Sequence, residues 1–432
     1  MGVKELAQEA DLDRTDRAGA RRREAVRAVA REEGLAPEVL EARVQAGKVV
    51  VLGGGERRAR PLGIGEGLRT KVNANIGTSP DYDDLSAEIE KLHTAVEAGA
   101  DTVMDLSTGG DLPLIRRTVR EECDVALGTV PVYEAGVVAA AKYGSIAAMP
   151  AELLLDTVEA HAAEGVDFLT LHCGVTRQSV ERLRRQGRVC GIVSRGGSML
   201  AHWMRENGQE NPLYAQYDRI LEVCRRYDTC LSLGDGLRPG ALADATDRGQ
   251  IEELLIIGEL VEAALEAGVA VIVEGPGHVP LHQVAANVTV MKATCCGVPF
   301  YVLGPLVTDV CPGYDHIVAA IGGAVCAAAG ADYLCYVTPS EHLGLPSVAD
   351  VREGVFAARI AAHAADLAKG IPGAQDWDRR MSQARRCLDW DLMTAEAMDP
   401  ERVRAVRAER ASHDPQACSM CGSFCSLKAK SI

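Results

Sequence analysis

The sequence predicts an α/β protein built on a (β/α)8 barrel, with a small N-terminal lobe ahead of the barrel and a C-terminal helical segment behind it. Between Lys71 and Gly370, short apolar or β-branched runs alternate with longer Ala- and Glu-rich stretches, the pattern of repeated βα units on a parallel sheet. The 432 residues, 47% of them hydrophobic, suffice for a large core with additions at both ends. Polar side chains follow almost every predicted strand, as they do where a barrel carries its site.

Nine segments have the composition of a buried strand, one more than a closed eight-stranded barrel needs. One of them must therefore lie outside the closed sheet. We doubt 299–303 first, because only a short segment separates it from its predecessor. The predicted strands are 71–76, 102–107, 125–132, 168–172, 191–194, 230–234, 270–274, 299–303 and 332–337.

The changes of pattern along the chain predict three domains, residues 1–70, 71–370 and 371–432. The first begins with a charged helical stretch, 17–33, followed by a short strand, 48–52. The glycine triplet 53–55 is interpreted as a plain turn, because no Lys-Ser pair follows it as in a phosphate-binding loop. The last domain contains two charged helical segments, 377–390 and 399–410, with Pro400 at a helix start.

Charge and hydropathy exclude two classes of partner. A net charge of -15 argues against nucleic acid, whose phosphates call for a basic face. The polar first 20 residues do not resemble a secretory signal, and no apolar run reaches the roughly 18 residues of a membrane span. We therefore expect a cytoplasmic protein, in which the 14 cysteines are thiols or metal ligands. Cys224, Cys326 and Cys335 lie in apolar patterns and are expected in the core.

The polar side chains at the predicted strand ends outline a site. In a (β/α)8 barrel the carboxyl ends of all strands meet at one face, where such barrels place their chemistry. Loops are polar in any protein, but a different titratable or hydrogen-bonding group after almost every strand favours a site. These groups are Asn75, Asp105 with Ser107, Tyr133, His172, Ser194 with Arg195, Asp235 with Arg238, Glu274 with His278, Tyr301, and Glu341 with His342.

Three cysteines close together, Cys418, Cys421 and Cys425, form the strongest local motif. Three thiolates suit a [4Fe-4S] cluster, whose fourth iron stays open to chelate S-adenosylmethionine and release a 5'-deoxyadenosyl radical. A structural zinc site with His413 as fourth ligand fits the same spacing. Spacing alone leaves both interpretations open. A tail this short has little core, so a metal is expected to order it.

Two further groups of residues are candidates for a zinc site and for a phosphate site. His278 and His342 each follow a predicted strand, and two neutral imidazoles would leave zinc positions open for water or substrate, although a lone histidine is more often structural. Arg195 and Arg238 each lie beside glycines at a strand end. Close backbone approach and a guanidinium suit an anion, and an ordinary turn with a surface ion pair is the alternative.

Long motifs in this chain resemble the phosphomethylpyrimidine synthase family of thiamin biosynthesis. The resemblance covers residues 71–432 almost without interruption. The matching segments are Val72-Asn-Ala-Asn-Ile-Gly77, Met104-Asp-Leu-Ser-Thr-Gly109, Gly128-Thr-Val-Pro131, Gly191-Ile-Val-Ser-Arg-Gly-Gly197, Ser232-Leu-Gly-Asp-Gly-Leu-Arg-Pro239, Glu274-Gly-Pro-Gly-His-Val-Pro280, Pro312-Gly-Tyr-Asp-His316, Cys335-Tyr-Val-Thr-Pro339, Glu341-His-Leu-Gly-Leu-Pro346 and Ala361-Ala-His-Ala-Ala-Asp-Leu-Ala-Lys-Gly370.

The resemblance implies a radical rearrangement of 5-aminoimidazole ribotide into hydroxymethylpyrimidine phosphate, with a [4Fe-4S] cluster on Cys418, Cys421 and Cys425, S-adenosylmethionine, and zinc on His278 and His342. It also implies an electron donor such as flavodoxin or ferredoxin, and a homodimer in which the cysteine tail of one subunit caps the barrel of the other. No catalytic acid or base is assigned. The substrate contacts that it implies are Asn75, Met104, Tyr133, His172, Ser194, Arg195, Gly196, Asp235, Gly236, Leu237, Arg238, Glu274 and Tyr301.

The chain departs from the longer family members in two ways. Three residues rather than four separate Cys421 from Cys425, and only about 70 residues precede the barrel, so the chain resembles the short form of the family. Relatives of that form make 5-hydroxybenzimidazole for cobamides from the same ribotide, which is the alternative product. Two other classes are a zinc-dependent barrel hydrolase with a structural zinc knuckle in the tail and a non-catalytic iron–sulfur sensor.

Overall fold

The computed structural model describes residues 19–53, 59–414 and 416–428. Gly54 and Gly55 of the predicted glycine turn, and Arg17 at the start of the predicted first helix, lie outside the described residues. The described strands are β1 (Val49–Leu52), β2 (Leu62–Gly65), β3 (Lys71–Ile76), β4 (Thr102–Asp105), β5 (Ala126–Thr129), β6 (Phe168–Leu171), β7 (Cys230–Leu233), β8 (Val271–Gly275), β9 (Phe300–Leu303) and β10 (Tyr333–Cys335).

Eight of these strands close into a parallel barrel in the order β10-β3-β4-β5-β6-β7-β8-β9, as predicted. The helices that connect the barrel strands pack outside it, because each right-handed crossover returns the chain to the sheet through a helix. The helices of the described residues are α1 (19–32), α2 (Pro37–Gln45), α3 (Leu85–Glu97), α4 (Leu112–Glu122), α5 (Pro131–Tyr143), α6 (Ala151–Ala163), α7 (Arg177–Gln186), α8 (Arg195–Asn207), α9 (Pro212–Ala215), α10 (Tyr217–Tyr227), α11 (Arg248–Glu266), α12 (Leu281–Thr294), α13 (Asp315–Ala328), α14 (Val348–Lys369), α15 (Ala374–Cys387), α16 (Trp390–Ala395) and α17 (Pro400–Glu409).

Of the nine predicted strands, 191–194 is the one that is not a strand of the barrel. The expectation that 299–303 would be that segment was wrong. Residues 191–194 form a loop before α8, and Val193 is 41% exposed, which is incompatible with a strand covered on both faces. The segment 299–303 forms β9 between β8 and β10. The stretch ahead of β9 is long enough for the 14-residue helix α12, so a complete βα unit fits there.

Buried ion pairs connect the N-terminal lobe to the amino end of β3. The lobe consists of α1, α2 and the antiparallel pair β1–β2. The Lys71 side chain is fully buried, and its ammonium donates to Glu33 Oε1 at 2.7 Å and to the Arg69 carbonyl at 2.9 Å. The Glu33 Oε2 atom accepts the Arg69 backbone N–H at 2.9 Å. Asp101 pairs with Arg69 and accepts the Val72 N–H at 2.8 Å. Glu33 is therefore the acidic partner of a cation that has no access to water.

Replacing Glu33 by alanine should destabilise the fold strongly, because the ammonium of Lys71 is then left buried without its carboxylate. Breaking such a pair from one side costs about 3–5 kcal/mol. Urea unfolding measures the loss, and Glu24→Ala, at an exposed position of α1, is the matched control with an expected change within about 0.5 kcal/mol. Equal stability of the two variants would contradict this role of Glu33.

The chain forms two compact units, Met1–Ala365 and Asp366–Ile432. The second contains the end of α14, then α15, α16 and α17, and last the cysteine tail. Helix α17 begins at Pro400, as predicted, and the carboxylate of Asp399 caps it by accepting the Arg402 N–H at 3.0 Å. Across the described ranges, no helix has both the length and the apolar character to cross a membrane. The predicted domain boundaries at 70 and 370 stay predictions.

Candidate active site

The carboxyl ends of the barrel strands surround a cavity of about 80 Å³. Eight of the thirteen predicted substrate contacts line it, although they come from seven different strands or strand ends and lie far apart in the sequence. They are Asn75, Met104, Tyr133, His172, Asp235, Arg238, Glu274 and Tyr301. The structure thus brings together seven of the polar groups predicted at the strand ends, while Asp105 and Ser107 line a separate, smaller cavity and Glu341 is not part of this lining.

A hydrogen-bonded network inside the barrel fixes the floor of this cavity. The Asn75 side chain accepts from Asn73 Nδ2 at 2.7 Å and donates to the Cys335 sulfur at 3.1 Å. Asn73 also donates to the Tyr301 hydroxyl at 2.8 Å, and the Tyr301 ring stacks on Tyr333 at 4.1 Å between centroids. The orientation of Asn75 is therefore set by its neighbours before any ligand arrives.

Two carboxyl groups at the cavity are held away from bulk water. Glu274 Oε1 accepts from the hydroxyls of Thr170 at 2.8 Å and Ser232 at 3.2 Å, and burial raises the pKa of Glu274. Burial raises the pKa of Asp235 to about 8, against the opposing effect of the Arg238 guanidinium, whose Nη1 lies 3.2 Å from Asp235 Oδ1. Among the described residues, Asp235 Oδ2 has no hydrogen-bond partner. Asp235 is thus able to carry a proton near neutral pH.

His172 is a neutral imidazole at the cavity wall. Burial, and next the charge of Arg238, lower the pKa of His172 to about 3. The ring lies against Gly196, where a Cβ would come within 2.3 Å of His172 Cε1. At Gly197 a Cβ would lie 2.0 Å from the Gly236 carbonyl oxygen, so both glycines are required by close approach. In the described part of the chain, His172 Nδ1 lacks a hydrogen-bond partner.

The other five predicted contacts lie behind or beside the residues that line the cavity. Ser194 caps α8 by accepting the Gly197 N–H at 3.1 Å, and the Arg195 guanidinium lies 4.9 Å from the Tyr133 ring centroid. Leu237 is fully buried. The group consists of Ser194, Arg195, Gly196, Gly236 and Leu237. The structure places them at the N-terminus of α8 and in the loop after β7, and not in the cavity lining itself.

Stability should depend on the ionisation of Asp235. The pKa of Asp235 is about 8 in the folded protein and about 4 in an unfolded chain. The protonated carboxyl therefore contributes its full stabilisation of the fold below about pH 4, and this stabilisation is lost as the pH rises through about 8. The Asp235→Asn variant should therefore lose less stability than the unmodified protein between about pH 5 and 9. Urea midpoints across that range test this, with the exposed Asp218→Asn as control. Parallel pH curves for Asp235→Asn and the unmodified protein would contradict it.

His278 and His342 meet at the same face of the barrel, with ring centroids 5.4 Å apart. Each is oriented by a carboxylate: His278 Nδ1 lies 2.8 Å from Asp309 Oδ1, and His342 Nδ1 lies 2.8 Å from Asp315 Oδ1. A carboxylate on Nδ1 fixes the ring and leaves Nε2 for a metal, the usual arrangement around zinc-binding histidines. Zinc therefore fits this pair. Among the described residues, no three or more His, Cys, Asp or Glu side chains are placed so that they could hold a metal ion together.

The cysteine tail is a series of tight turns in the second unit. The Gly422 N–H donates to the Cys418 carbonyl at 2.9 Å, and the Phe424 N–H to the Cys421 carbonyl at 3.0 Å. Backbone N–H groups of Cys421 and Met420 lower the pKa of the Cys418 thiol by hydrogen bonding to its sulfur. The charge of Cys418 in turn raises the pKa of Cys421. Three thiols this close together are the donor type that binds iron, so their chemistry fits a cluster.

A family model described as the radical SAM ThiC family matches residues 15–431. The chain belongs to this family. It is 60% identical over 405 residues to the phosphomethylpyrimidine synthase of Moorella thermoacetica, covering 94% of each chain. It is 58% identical to the enzyme of the same name from Desulforamulus reducens, again over 94% of each chain. A Yersinia pestis dihydropteroate synthase structure aligns with a TM-score of 0.42 at 12% identity, covering 73% of this chain and 97% of that one, and no argument rests on so distant a likeness.

Membership of the radical SAM ThiC family confirms the resemblance that the motifs predict. The chain is therefore a radical S-adenosylmethionine enzyme, and the family implies an iron–sulfur cluster and S-adenosylmethionine. A zinc hydrolase with a zinc knuckle and a non-catalytic sensor are both inconsistent with this membership. The names of the relatives favour pyrimidine synthesis over 5-hydroxybenzimidazole synthesis.

Sequence reasoning missed several side chains that position this radical SAM site. Thr170 and Ser232 hold Glu274, and their position between apolar residues of β6 and β7 is the signal in the sequence that they point to the other face of the sheet. Arg188 is fully buried and donates to the carbonyls of Leu237 at 2.7 Å and Arg238 at 3.2 Å. Glu253 accepts the Leu237 N–H at 2.7 Å. Nothing in the sequence distinguishes this arginine or this glutamate from those of exposed helix faces.

Proposed function

We propose that this enzyme rearranges 5-aminoimidazole ribotide to 4-amino-5-hydroxymethyl-2-methylpyrimidine phosphate, the pyrimidine of thiamin. The observation that carries the proposal is the convergence of eight predicted ribotide contacts on one cavity of the barrel. The relatives named phosphomethylpyrimidine synthase support it, because they match over 94% of the chain. The enzyme acts in the cytoplasm as a carbon–carbon lyase.

In this proposal the aminoimidazole ring enters the cavity. Buried polar atoms without partners are costly unless a ligand or water satisfies them. Asp235 Oδ2 and His172 Nδ1 are two such atoms among the described residues, and both residues line the cavity. A protonated carboxyl can donate to a basic ring nitrogen, and a neutral imidazole can accept from an amino group, so the two groups suit the nitrogen atoms of an aminoimidazole. Glu274 and Asn75, both held by neighbouring side chains, complete the polar wall.

The phosphate of the ribotide lies at the start of α8. This 13-residue helix begins at Arg195, and its first backbone N–H groups are those of Arg195 and Gly196, since the Gly197 N–H already donates to Ser194. Helix N-termini attract phosphate through their unpaired N–H groups and the helix dipole. The guanidinium of Arg195, above the Tyr133 ring, adds a positive charge beside them.

Two metal groups complete the proposed enzyme. His278 and His342 hold zinc, which polarises a ligand oxygen or nitrogen at the barrel face. Cys418, Cys421 and Cys425 hold the [4Fe-4S] cluster, which supplies one-electron chemistry on S-adenosylmethionine. We further propose a homodimer and an electron-donor protein such as flavodoxin or ferredoxin. The protein residues bind and orient the ribotide, and the cavity walls exclude water from it.

Anaerobic turnover with the ribotide, S-adenosylmethionine and a reductant, followed by mass spectrometry of the product, tests the function. The expected product is the pyrimidine phosphate. Release of 5-hydroxybenzimidazole would replace the proposal by the cobamide alternative, and absence of both products would overturn it.

Arg195→Met tests the phosphate position. Losing one charge-assisted contact of about 1.5–3 kcal/mol should raise the KM for the ribotide by roughly 10- to 100-fold. Arg205→Met, at an exposed arginine of the same helix, is the control and should leave the KM unchanged. Equal KM values for the two variants would place the phosphate elsewhere.

A further inference from the structure

A second, smaller cavity lies behind the loop that carries Asp235. It measures about 20 Å³, which is room for one water molecule. Its walls come from the loop after β7, from α11 and α12, and from the end of β8. The polar lining is Asp235, Arg238, Gln250, Glu253, Glu274 and Asn287, and the apolar lining includes Leu254, Ile257, Met291 and Phe300.

Two of the lining residues have a carboxyl oxygen without a hydrogen-bond partner within the described part of the chain, Asp235 Oδ2 and Glu253 Oε1. Their residues are 7% and 2% exposed. A buried carboxyl oxygen without a partner costs about 1–3 kcal/mol or more. One water molecule in a cavity that both residues line can donate to one of these oxygens and accept from the other.

The second oxygen of Glu253 shows where its proton lies. Glu253 Oε2 accepts the Leu237 N–H at 2.7 Å, so a proton on this carboxyl belongs on Oε1, the oxygen near Gly236. A Cβ at Gly236 would lie 3.2 Å from Glu253 Oε1. Protonated in this way, Glu253 uses one oxygen to support the loop and the other to donate into the cavity.

The charges around Glu253 favour its protonated form. From the loop it faces Asp235 and Arg238, from the end of β8 it faces Glu274, and Arg188 acts on it from beyond α7. Arg188 is already engaged by Asp247, at 2.6 Å, and by the loop carbonyls. Burial first, and next the charge of Asp235, raise the pKa of Glu253 well above its usual range, against the opposing effects of the Leu237 and Gly236 N–H groups and of Arg188. The two acids therefore share protons rather than ionising together.

We propose that Glu253 and one internal water store a proton behind Asp235, which makes Glu253 a positioning residue of the active site. This inference rests on the proposed function. When Asp235 gives its proton to a basic nitrogen of the ribotide, the water donates a proton to Asp235 Oδ2 and receives one from Glu253 Oε1. Glu253 is left as a carboxylate, stabilised by the Leu237 N–H, and the total of protons is unchanged.

Infrared spectroscopy of the full-length reconstituted enzyme tests the stored proton without any substrate. At about pH 8 the unmodified enzyme should show the carbonyl stretch of a protonated carboxyl that Glu253→Gln lacks. The matched control is Glu252→Gln, the neighbouring residue on α11, which is bound to Arg182 at 2.8 Å and does not line the cavity. An unchanged band in Glu253→Gln would overturn the inference. If Glu253→Gln does not fold, Glu253→Asp replaces it, because aspartate keeps an acidic group. Glu253→Asp should show a shifted carbonyl band, and absence of that band would also overturn the inference.

Steady-state kinetics separate proton delivery from mere packing. Glu253→Gln should keep the KM for the ribotide within about threefold, because the neutral amide keeps the hydrogen bond to Leu237. The variant should lower kcat about tenfold or more, and the loss of kcat should grow toward high pH, because the amide holds no acidic proton. Glu252→Gln should match the unmodified enzyme. An unchanged kcat with a lost infrared band would show that the proton is not used and would overturn the inference. An unmodified enzyme that shows the band but does not convert the ribotide would instead contradict the proposed function.

Discussion

Replacing Cys421, a proposed ligand of the iron–sulfur cluster, by alanine should remove the cluster and all turnover, while the barrel should keep its fold. A cluster held by three thiolates has no spare protein ligand, so the loss of one leaves too few to retain it. The tail belongs to the second compact unit, and the barrel with its core belongs to the first. Iron and acid-labile sulfide per chain should fall at least about tenfold, as measured on anaerobically reconstituted protein. The far-ultraviolet circular dichroism should stay the same.

Cys387→Ala is the matched control for this experiment. Cys387 is an exposed thiol at the end of α15 in the same unit, and it is not a proposed ligand. Iron content and turnover should both be unchanged. Retention of the full iron content by Cys421→Ala would show that the cluster has other ligands, and loss of the barrel signal would contradict the independence of the tail.

Replacing His278 by alanine should remove zinc and leave iron in place. The two proposed metal groups use different residues, His278 with His342 in the barrel unit and the three cysteines in the other unit. Loss of one of two protein ligands should lower zinc content at least about tenfold, and turnover should fall by about 100-fold or more, since even the loss of a supporting carboxylate costs 10–100-fold at such sites. Metal analysis by mass spectrometry measures both elements in one sample.

His282→Ala provides the comparison, because His282 is an exposed histidine at the start of α12, four residues from His278. It should keep both metals. A parallel fall of iron and zinc in His278→Ala would contradict two separate metal sites. Asp309→Asn should weaken zinc binding less than His278→Ala does, because Asp309 orients the ring through Nδ1 and binds no metal itself.

The pattern of hydrophobic residues was enough to predict the barrel. It could not distinguish a strand from a loop where the two have the same local composition. The run Gly-Ile-Val-Ser at 191–194 looks like a short strand, but Ile192 is half-buried, Val193 is exposed and α8 begins directly after the run. The segment 299–303 has a similar composition and forms β9. Only the long-range pairing of β9 with β8 and β10 separates the two cases, and a local pattern contains no information on such pairing.

Seven of the cavity residues could be predicted because parallel strands bring their carboxyl ends together, whereas Met104 was predicted only through the family resemblance. Their supports could not be predicted in the same way. Glu253 lies on α11 and Arg188 lies between α7 and α8, at positions where charged residues are usually solvated. Cys335 was assigned to the core, and it is buried, but it also lines the cavity beside Asn75. Burial alone does not distinguish these two roles.

The polar network inside the barrel limits how this protein can be engineered. Thr102, Asn73, Tyr301 and Asn75 are joined by hydrogen bonds from the middle of the barrel to the cavity floor. An apolar substitution at any of these four residues, made to raise the melting temperature, would also change the orientation of the Asn75 amide at the cavity or leave that amide without a hydrogen-bond partner. Thermostable variants for biotechnology are therefore best sought on the outer helices, where directed evolution can accumulate stabilising changes without altering the chemistry.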